Sequence, residues 1–153
     1  MNYRMTAALL SLAGLFISAY LYLYKIGRIG TLACGTGGCE TVQLSSWSRF
    51  AGVEVSLIGL LGYSVLLLLS LASLQESPPS RRQLFATLLL GCSALGLGFT
   101  LYLTSLELFV IHAICRWCVG SAIMIAGIFI VSLLEYLRHR PEKSLVSEPQ
   151  APR

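Results

Sequence analysis

The sequence predicts an all-α integral membrane protein: a four-transmembrane-helix bundle, capped by a long extracytoplasmic loop with an interfacial segment. The first observation is compositional, because 56% of the 153 residues are hydrophobic, only 12% are charged and the mean hydropathy is +0.75. In soluble domains about a quarter of all residues are charged. This chain has about half that fraction, so lipid must solvate most of the protein's surface. The second observation is a set of uncharged runs of about 20 residues, the length that crosses the hydrocarbon core as a helix.

These runs predict helices over residues 5–24, 55–74, 84–106 and 112–136, within one domain that spans residues 1–140. Backbone groups in lipid must be hydrogen-bonded internally, which helices achieve, whereas the strands of a barrel would be shorter and would alternate in polarity. Six glycines within the first three runs predict close helix packing: Gly14, Gly59, Gly62, Gly91, Gly96 and Gly98. Residues 141–153 are rich in Pro, Ser and Glu, and we expect a disordered cytoplasmic tail.

The basic residues predict the orientation in the membrane. Four spans put both termini and the second connection on one side. That side carries seven basic residues and the other carries four: Arg4, Arg81, Arg82, Arg138, Arg140, Lys143 and Arg153 against Lys25, Arg28, Arg49 and Arg116. Since basic residues accumulate on the cytoplasmic side, we expect both termini to be cytoplasmic, in the inner or plasma membrane. The net charge of +4 reflects this topology and does not indicate nucleic-acid binding.

The long polar loop over residues 25–54 connects the first two predicted helices. It contains Cys34-Gly-Thr-Gly-Gly-Cys39, followed over residues 40–50 by a semi-apolar stretch with Trp47 and Phe50. Trp is favoured at the depth of the lipid headgroups. This stretch is therefore predicted to lie along the interface and to cap the bundle.

Two cysteine pairs carry the predicted chemistry. The first is in the long loop, and the second, Cys115 and Cys118, is a Cys-Arg-Trp-Cys motif at the start of the fourth helix. In any four-span topology the first and third connections share a side, so both pairs face the same side of the membrane. On a helix, residues three apart lie on one face, and a helix N-terminus lowers the pKa of a thiol, to which Arg116 adds positive charge.

A glycine-rich loop lets the pair Cys34 and Cys39 close, open and exchange partners. Two exchangeable pairs on one surface therefore predict an electron relay by thiol–disulfide exchange. Because the second pair lies next to the hydrocarbon, its electron partner is expected to be lipid-soluble.

Two other interpretations of the cysteine pairs remain open, and two further residues are interpreted as having no role in the chemistry. Both pairs could be structural disulfides, although closing the short loop of Cys-Arg-Trp-Cys stabilises little. The four cysteines have spacings that would suit zinc, but thiols outside the cytosol tend to be oxidised, and no metal site is predicted. Cys92 is interpreted as a buried residue without a role. His112 is interpreted as an ordinary loop or interface residue, with proton transfer as the alternative.

These features together resemble the bacterial vitamin K epoxide reductase family over roughly residues 5–136. The resemblance rests on the loop pair, on the following segment with Ser45 and Ser46, on residues 51–63 at the start of the second helix, and on the Cys-Arg-Trp-Cys motif. In the convergent DsbB family the CxxC motif comes first in the chain, which argues against that family here.

The resemblance implies a role for each cysteine. Cys34 would form a mixed disulfide with a reduced, DsbA-like thioredoxin-fold partner, which we expect to be a separate protein. Cys39 would exchange with Cys115, and Cys118, one turn deeper, would face a quinone, either ubiquinone or menaquinone. Ser45 or Ser46 would support the quinone site.

The resulting hypothesis is an enzyme that uses quinone to reoxidise its partner and so supports disulfide bond formation. The same scaffold could run in the opposite sense, as a quinone or epoxide reductase, because the same thiols serve both directions. A protein of another class, with structural disulfides or zinc and without activity, is the second alternative.

Overall fold

The computed structural model describes residues 3–35, 38–75 and 79–139; the predicted tail over residues 141–153 lies outside them. The elements follow one another as α1 (Tyr3–Lys25), α2 (Gly38–Leu44), a 3-10 turn (Ser46–Ser48), β1 (Arg49–Phe50), β2 (Val53–Glu54), α3 (Val55–Leu74), α4 (Pro79–Leu106), a π-helical turn (Glu107–Ile111) and α5 (Arg116–His139).

Within the described residues, four helices are long and apolar enough to cross a membrane: α1, α3, α4 with its π-helical turn, and α5. The predicted fold class, an all-α membrane bundle of four spans, is confirmed. The helix α3 has the predicted bounds of 55–74.

The connection between the last two spans differs from the prediction. The third span continues through the π-helical turn to Ile111, and α5 begins at Arg116, four residues after the predicted start at 112. His112 has a left-handed backbone with φ 55°, and its N–H donates to the carbonyl of Glu107, which ends the helix. An apolar run alone could not reveal this break, since residues 108–111 are as apolar as the helices on either side.

The helices pack around two buried clusters. In the bundle, α1 packs against α3 and α5, and α4 packs against α3 and α5. The bundle core contains Ala7, Tyr63, Leu66, Leu89, Ile125 and Ile128. A second cluster lies at the end that carries the cysteine pairs; this capped-end cluster contains Leu21, Leu32, Cys34, Cys39, Val42 and Cys115.

Two glycines permit the close approach of α1 and α3. A Cβ on Gly14 would lie 2.2 Å from the ring of Tyr63, and one on Gly59 would lie 2.9 Å from the hydroxyl of Ser18. Both distances are too short for real side chains. The predicted packing role is therefore confirmed for Gly14 and Gly59. A Cβ on Gly96 would lie 3.1 Å from Ile125, which also agrees, whereas a Cβ on Gly62, Gly91 or Gly98 would meet nothing within 4 Å among the described residues, so the prediction is wrong for these three.

Polar contacts fasten both ends of the bundle. At the end that holds the chain termini, the guanidinium of Arg4 donates to the carboxylate of Glu135 and to the carbonyl of Ser73, which joins α1, α5 and α3. At the capped end, the ammonium group of Lys25 donates to the carbonyl of Gln43 and lies 3.3 Å from the carboxylate of Glu54. Charges at this depth are stable because each is paired.

The segment after α2 forms the cap. The strands β1 and β2 make a short antiparallel hairpin, in which Arg49 pairs with Glu54 at 2.7 Å. The ring of Phe50 lies 5.4 Å from that of Phe99 and 6.4 Å from that of Tyr102, measured between centroids. These edge contacts hold the hairpin against α4, and Trp47 beside it is half-exposed.

Candidate functional site

The loop cysteines are joined as a disulfide beside the bundle end. Cys34 and Cys39 have Cα atoms 6.1 Å apart. The N–H of Ala33 donates to the Tyr20 hydroxyl at 3.1 Å, and this bond holds the chain before Cys34 against α1. Cys34 is 3% exposed and Cys39 is fully buried, so neither sulfur lies at the surface of this conformation.

Gly38 brings this loop against the connection that precedes α5. A Cβ on Gly38 would lie 2.6 Å from the carbonyl oxygen of Ile114. Only glycine fits there, and as a result Cys39 in the first turn of α2 and Cys115 share the capped-end cluster. The structure thus brings both loop cysteines and Cys115 into the same buried cluster.

Cys115 and Cys118 occupy the N-terminus of α5. Cys115 immediately precedes the helix, is fully buried, and accepts the N–H of Cys118 on its sulfur at 3.4 Å. A hydrogen bond from the Cys118 thiol, helped by the backbone N–H groups of Cys118 and Trp117, lowers the pKa of Cys115 despite its burial and the nearby Glu107 carboxylate. Cys115 is therefore the cysteine of this motif that favours the thiolate.

Glu107 is a residue that the sequence reasoning missed. It is 6% exposed, and its carboxylate accepts the N–H of Cys115 at 3.1 Å. The same carboxyl group is hydrogen-bonded to the Cys118 thiol. The available signal was a single acidic residue in an apolar run near a CxxC motif, since an ionisable residue inside a membrane span indicates function by default.

A cavity of about 200 Å³ lies under the cap, between α3, α4 and α5. Cys118 packs against the capped-end cluster and also lines the cavity, whereas Cys115 is buried within the cluster and does not line the cavity. The walls are mostly apolar, and their polar residues include Gln43, Ser45, Ser56, Tyr63, Glu107 and Ser121. The two cysteines of the motif therefore face different surroundings.

Ser56 is the most informative of these polar groups. It is 8% exposed, lines the cavity, and its hydroxyl has no hydrogen-bond partner among the residues that the structure describes. A buried hydroxyl without a partner is costly, and a ligand with a carbonyl oxygen would satisfy it.

The two loop serines differ in position. Ser45 lines the cavity and its hydroxyl donates to the carbonyl of Val42 at 2.7 Å, whereas Ser46 is exposed. The structure therefore brings Ser45 to the cavity and leaves Ser46 at the surface. A role for either in binding stays a prediction.

The remaining candidates lie as follows. Cys92 lines the cavity wall, and His112 is exposed on the connection before α5, with its ring nitrogen 3.3 Å from the carbonyl of Val110. No group of three potential metal ligands occurs within residues 3–35, 38–75 and 79–139. The disulfide between Cys34 and Cys39 uses two sulfurs that the zinc alternative would require as thiolates.

Sequence comparison identifies the family. The model of the vitamin K epoxide reductase family matches residues 5–133, which include both cysteine pairs, the second and third spans and most of the first and fourth. The chain belongs to the vitamin K epoxide reductase family. Membership makes it a multi-pass membrane oxidoreductase of a family linked to thiols and to quinones or epoxides. Members generally work with thioredoxin-like partners and lipid quinones.

Proposed function

We propose that this vitamin K epoxide reductase family member is a quinone-dependent thiol oxidase. It takes electrons from a DsbA-like thioredoxin-fold partner through Cys34 and Cys39, and passes them through Cys115 and Cys118 to a quinone. The observation that carries the proposal is the division of the CxxC motif, since Cys115 shares a buried cluster with Cys39 while Cys118 lines the cavity. A motif that contacts both the loop pair and a cavity can connect them.

The order of exchange follows from these positions. The partner's thiolate attacks Cys34, and a second partner thiol then resolves the mixed disulfide, which leaves Cys34 and Cys39 as thiols. With Cys115 and Cys118 joined, the thiolate of Cys39 attacks the sulfur of Cys115, so that the Cys39–Cys115 bond forms and the Cys115–Cys118 bond breaks. Cys118 is the leaving group, on the cavity side. Attack by Cys34 on Cys39 then restores the loop disulfide and frees Cys115.

The cavity suits a quinone ring by size and chemistry. A dry cavity of about 150 Å³ can hold benzene, so a volume of about 200 Å³ is of the size that an aromatic head group needs. The unpaired Ser56 hydroxyl would hold a carbonyl oxygen, and Ser45 would support the site from the cap. A bound quinone, either ubiquinone or menaquinone, supplies an acceptor for two electrons and two protons.

Orientation completes the proposal. The excess of basic residues on the side of the termini supports an inner or plasma membrane protein with cytoplasmic termini. Both cysteine pairs would then lie on the extracytoplasmic side, where disulfides persist. That compartment favours a role in which the partner's disulfide is the useful product over a role in which the reduced quinone or epoxide is the useful product. Family membership favours an enzyme over the non-enzymatic alternative.

The test is anaerobic reduction of a short-chain quinone by the purified full chain, with either a reduced thioredoxin-fold protein or dithiothreitol as the donor. Cys118→Ala should abolish quinone reduction with both donors. Cys34→Ala should block the reaction with the protein donor and retain the reaction with dithiothreitol, so each variant is the control for the other. Normal turnover by Cys118→Ala, or equal loss of both reactions in Cys34→Ala, would contradict the relay.

A further inference from the structure

The buried carboxyl group of Glu107 lies where the last two spans meet the CxxC motif. Its backbone carbonyl accepts the N–H groups of His112 and Ala113, which closes the π-helical turn. Its side chain reaches the other way and accepts the N–H of Cys115 at 3.1 Å. Single π-helical turns are frequent at functional sites. Here the turn holds a carboxyl group beside two thiols.

The Cys118 thiol has two acceptors within reach. One is the sulfur of Cys115, which also accepts the N–H of Cys118, and the other is the carboxyl group of Glu107. Cys118 and Glu107 both line the cavity. A proton on the Cys118 sulfur therefore has a direct route to an acid–base group at the cavity wall.

Within the described part of the chain, Glu107 is the group around the cavity that is suited to exchange a proton with Cys118. Among the described residues that line the cavity, Glu107 carries the one carboxyl group, and the other titratable groups are Tyr63, Cys92 and Cys118. The Tyr63 hydroxyl already bonds the carbonyl of Ser121 at 2.8 Å. On the side of the capped-end cluster, the titratable group that faces the carboxyl is Cys115.

We propose that Glu107 exchanges one proton with the sulfur of Cys118 each time the Cys115–Cys118 disulfide breaks or forms; this role rests on the proposed function. When the Cys39 thiolate attacks Cys115, the Cys39–Cys115 bond forms and the Cys115–Cys118 bond breaks. The departing Cys118 sulfur takes the proton of Glu107, which leaves a thiol and a carboxylate. When Cys115 and Cys118 form their disulfide again, the Cys118 proton goes back to the carboxylate and the two sulfurs give two electrons to the quinone in the cavity. The quinone takes two protons from water, which replace the two that the partner's thiols release.

The experiment compares Glu107→Gln, Glu107→Asp and Glu40→Gln with the wild type. Gln retains an oxygen that can accept the Cys115 N–H but cannot exchange a proton, and Asp retains the carboxyl group. Glu40→Gln is the charge control, because it removes a carboxylate of α2 at the same end of the bundle. Turnover of a short-chain quinone with dithiothreitol is measured from acidic to alkaline pH. Thiolate absorbance near 240 nm is titrated separately on the reduced protein without quinone.

Loss of a general acid–base group costs roughly 10²-fold or more in turnover, which is the expected loss for Glu107→Gln at every pH. Glu107→Asp should recover part of this loss, and Glu40→Gln should behave as the wild type. In the quinone-free titration, Glu107→Gln should form the Cys115 thiolate at lower pH than the wild type, because the carboxylate raises the pKa of that thiol. Slower turnover combined with easier thiolate formation is a signature that misfolding would not produce.

Three results would overturn the role of Glu107. They are wild-type turnover in Glu107→Gln, equal loss in the Gln and Asp variants, and an unchanged thiolate titration in Glu107→Gln. If Glu107→Gln does not fold, Glu107→Asp is the deciding variant. It keeps a carboxyl group on a shorter side chain, so the proposal requires it to retain part of the wild-type turnover. Absence of quinone reduction by the wild type would instead overturn the proposed function, whereas wild-type activity with no effect at Glu107 removes this role alone.

Discussion

The backbone of Gly38 packs against the carbonyl of Ile114 so closely that a Cβ on residue 38 would lie 2.6 Å from that oxygen. This contact joins the N-terminus of α2, which carries Cys39, to the connection that carries Cys115. The glycine-rich loop therefore has a packing requirement as well as a conformational one.

Gly38→Ala should separate the two cysteine pairs. The added methyl group cannot occupy a position 2.6 Å from a carbonyl oxygen, so the N-terminus of α2 must move. A displacement of about 1 Å can slow a reaction by about 10²-fold, and we expect a loss of this order in quinone reduction driven by the protein donor. Turnover with dithiothreitol should change little, because that donor does not need the loop pair.

The matched control is Gly30→Ala in the same loop, where a Cβ would meet nothing within 4 Å. Rates of Gly38→Ala equal to those of Gly30→Ala with both donors would show that the contact does not position the exchange.

The second prediction concerns the pKa of Cys115. The hydrogen bond from the Cys118 thiol is the largest cause of its lowering, so Cys118→Ala should raise the pKa. In the wild type the Cys115 thiolate should persist as pH falls below about 8.5, the ordinary value for cysteine, and it should be lost only near the lowered pKa. The thiolate absorbance of the reduced protein, titrated against pH, measures this pKa. The titration step that is missing in Cys115→Ser is the one that belongs to Cys115. A titration of Cys118→Ala that coincides with the wild type would contradict this account.

The third prediction concerns Ser56. Removing a buried hydroxyl that has no partner among the described residues should not destabilise the protein, so Ser56→Ala should melt at the wild-type temperature or above it. If the hydroxyl donates to the acceptor, its loss forfeits one hydrogen bond of about 0.5–1.5 kcal/mol, which raises the KM for quinone roughly 2- to 12-fold.

Ser105→Ala is the control for Ser56, because Ser105 is exposed and its hydroxyl donates to the carbonyl of Leu101 within α4. An unchanged KM in Ser56→Ala would remove Ser56 from the binding site, while a fall in melting temperature would mean that the hydroxyl has a partner in the folded protein.

Much of the fold was predictable because the signals are local. A span is set by the length of an uncharged run, and α3 has the predicted bounds of 55–74. The break between the third and fourth spans was not predictable in this way. The left-handed backbone of His112 interrupts residues of similar hydropathy, and this conformation depends on its N–H bond to Glu107.

The candidate site was also predictable only in part. Cys115 and Cys118 were identified by their spacing, but that spacing cannot tell which sulfur is buried and which faces a cavity. Glu107 was missed because its importance comes from contacts across a chain reversal, which places its carboxyl group on the N–H of a residue eight positions later.

The sequence by itself determined that four spans exist and that both cysteine pairs lie at the same end of the bundle. Each crossing takes the chain to the other side of the membrane, so the first and third connections lie on the same side. This result needs no knowledge of how the helices pack. Only the tertiary structure decided how the pairs are used, because burial and hydrogen bonding arise between distant segments. It put Cys39 and Cys115 in one cluster, turned Cys118 towards the cavity, and brought Glu107 to both cysteines of the CxxC motif.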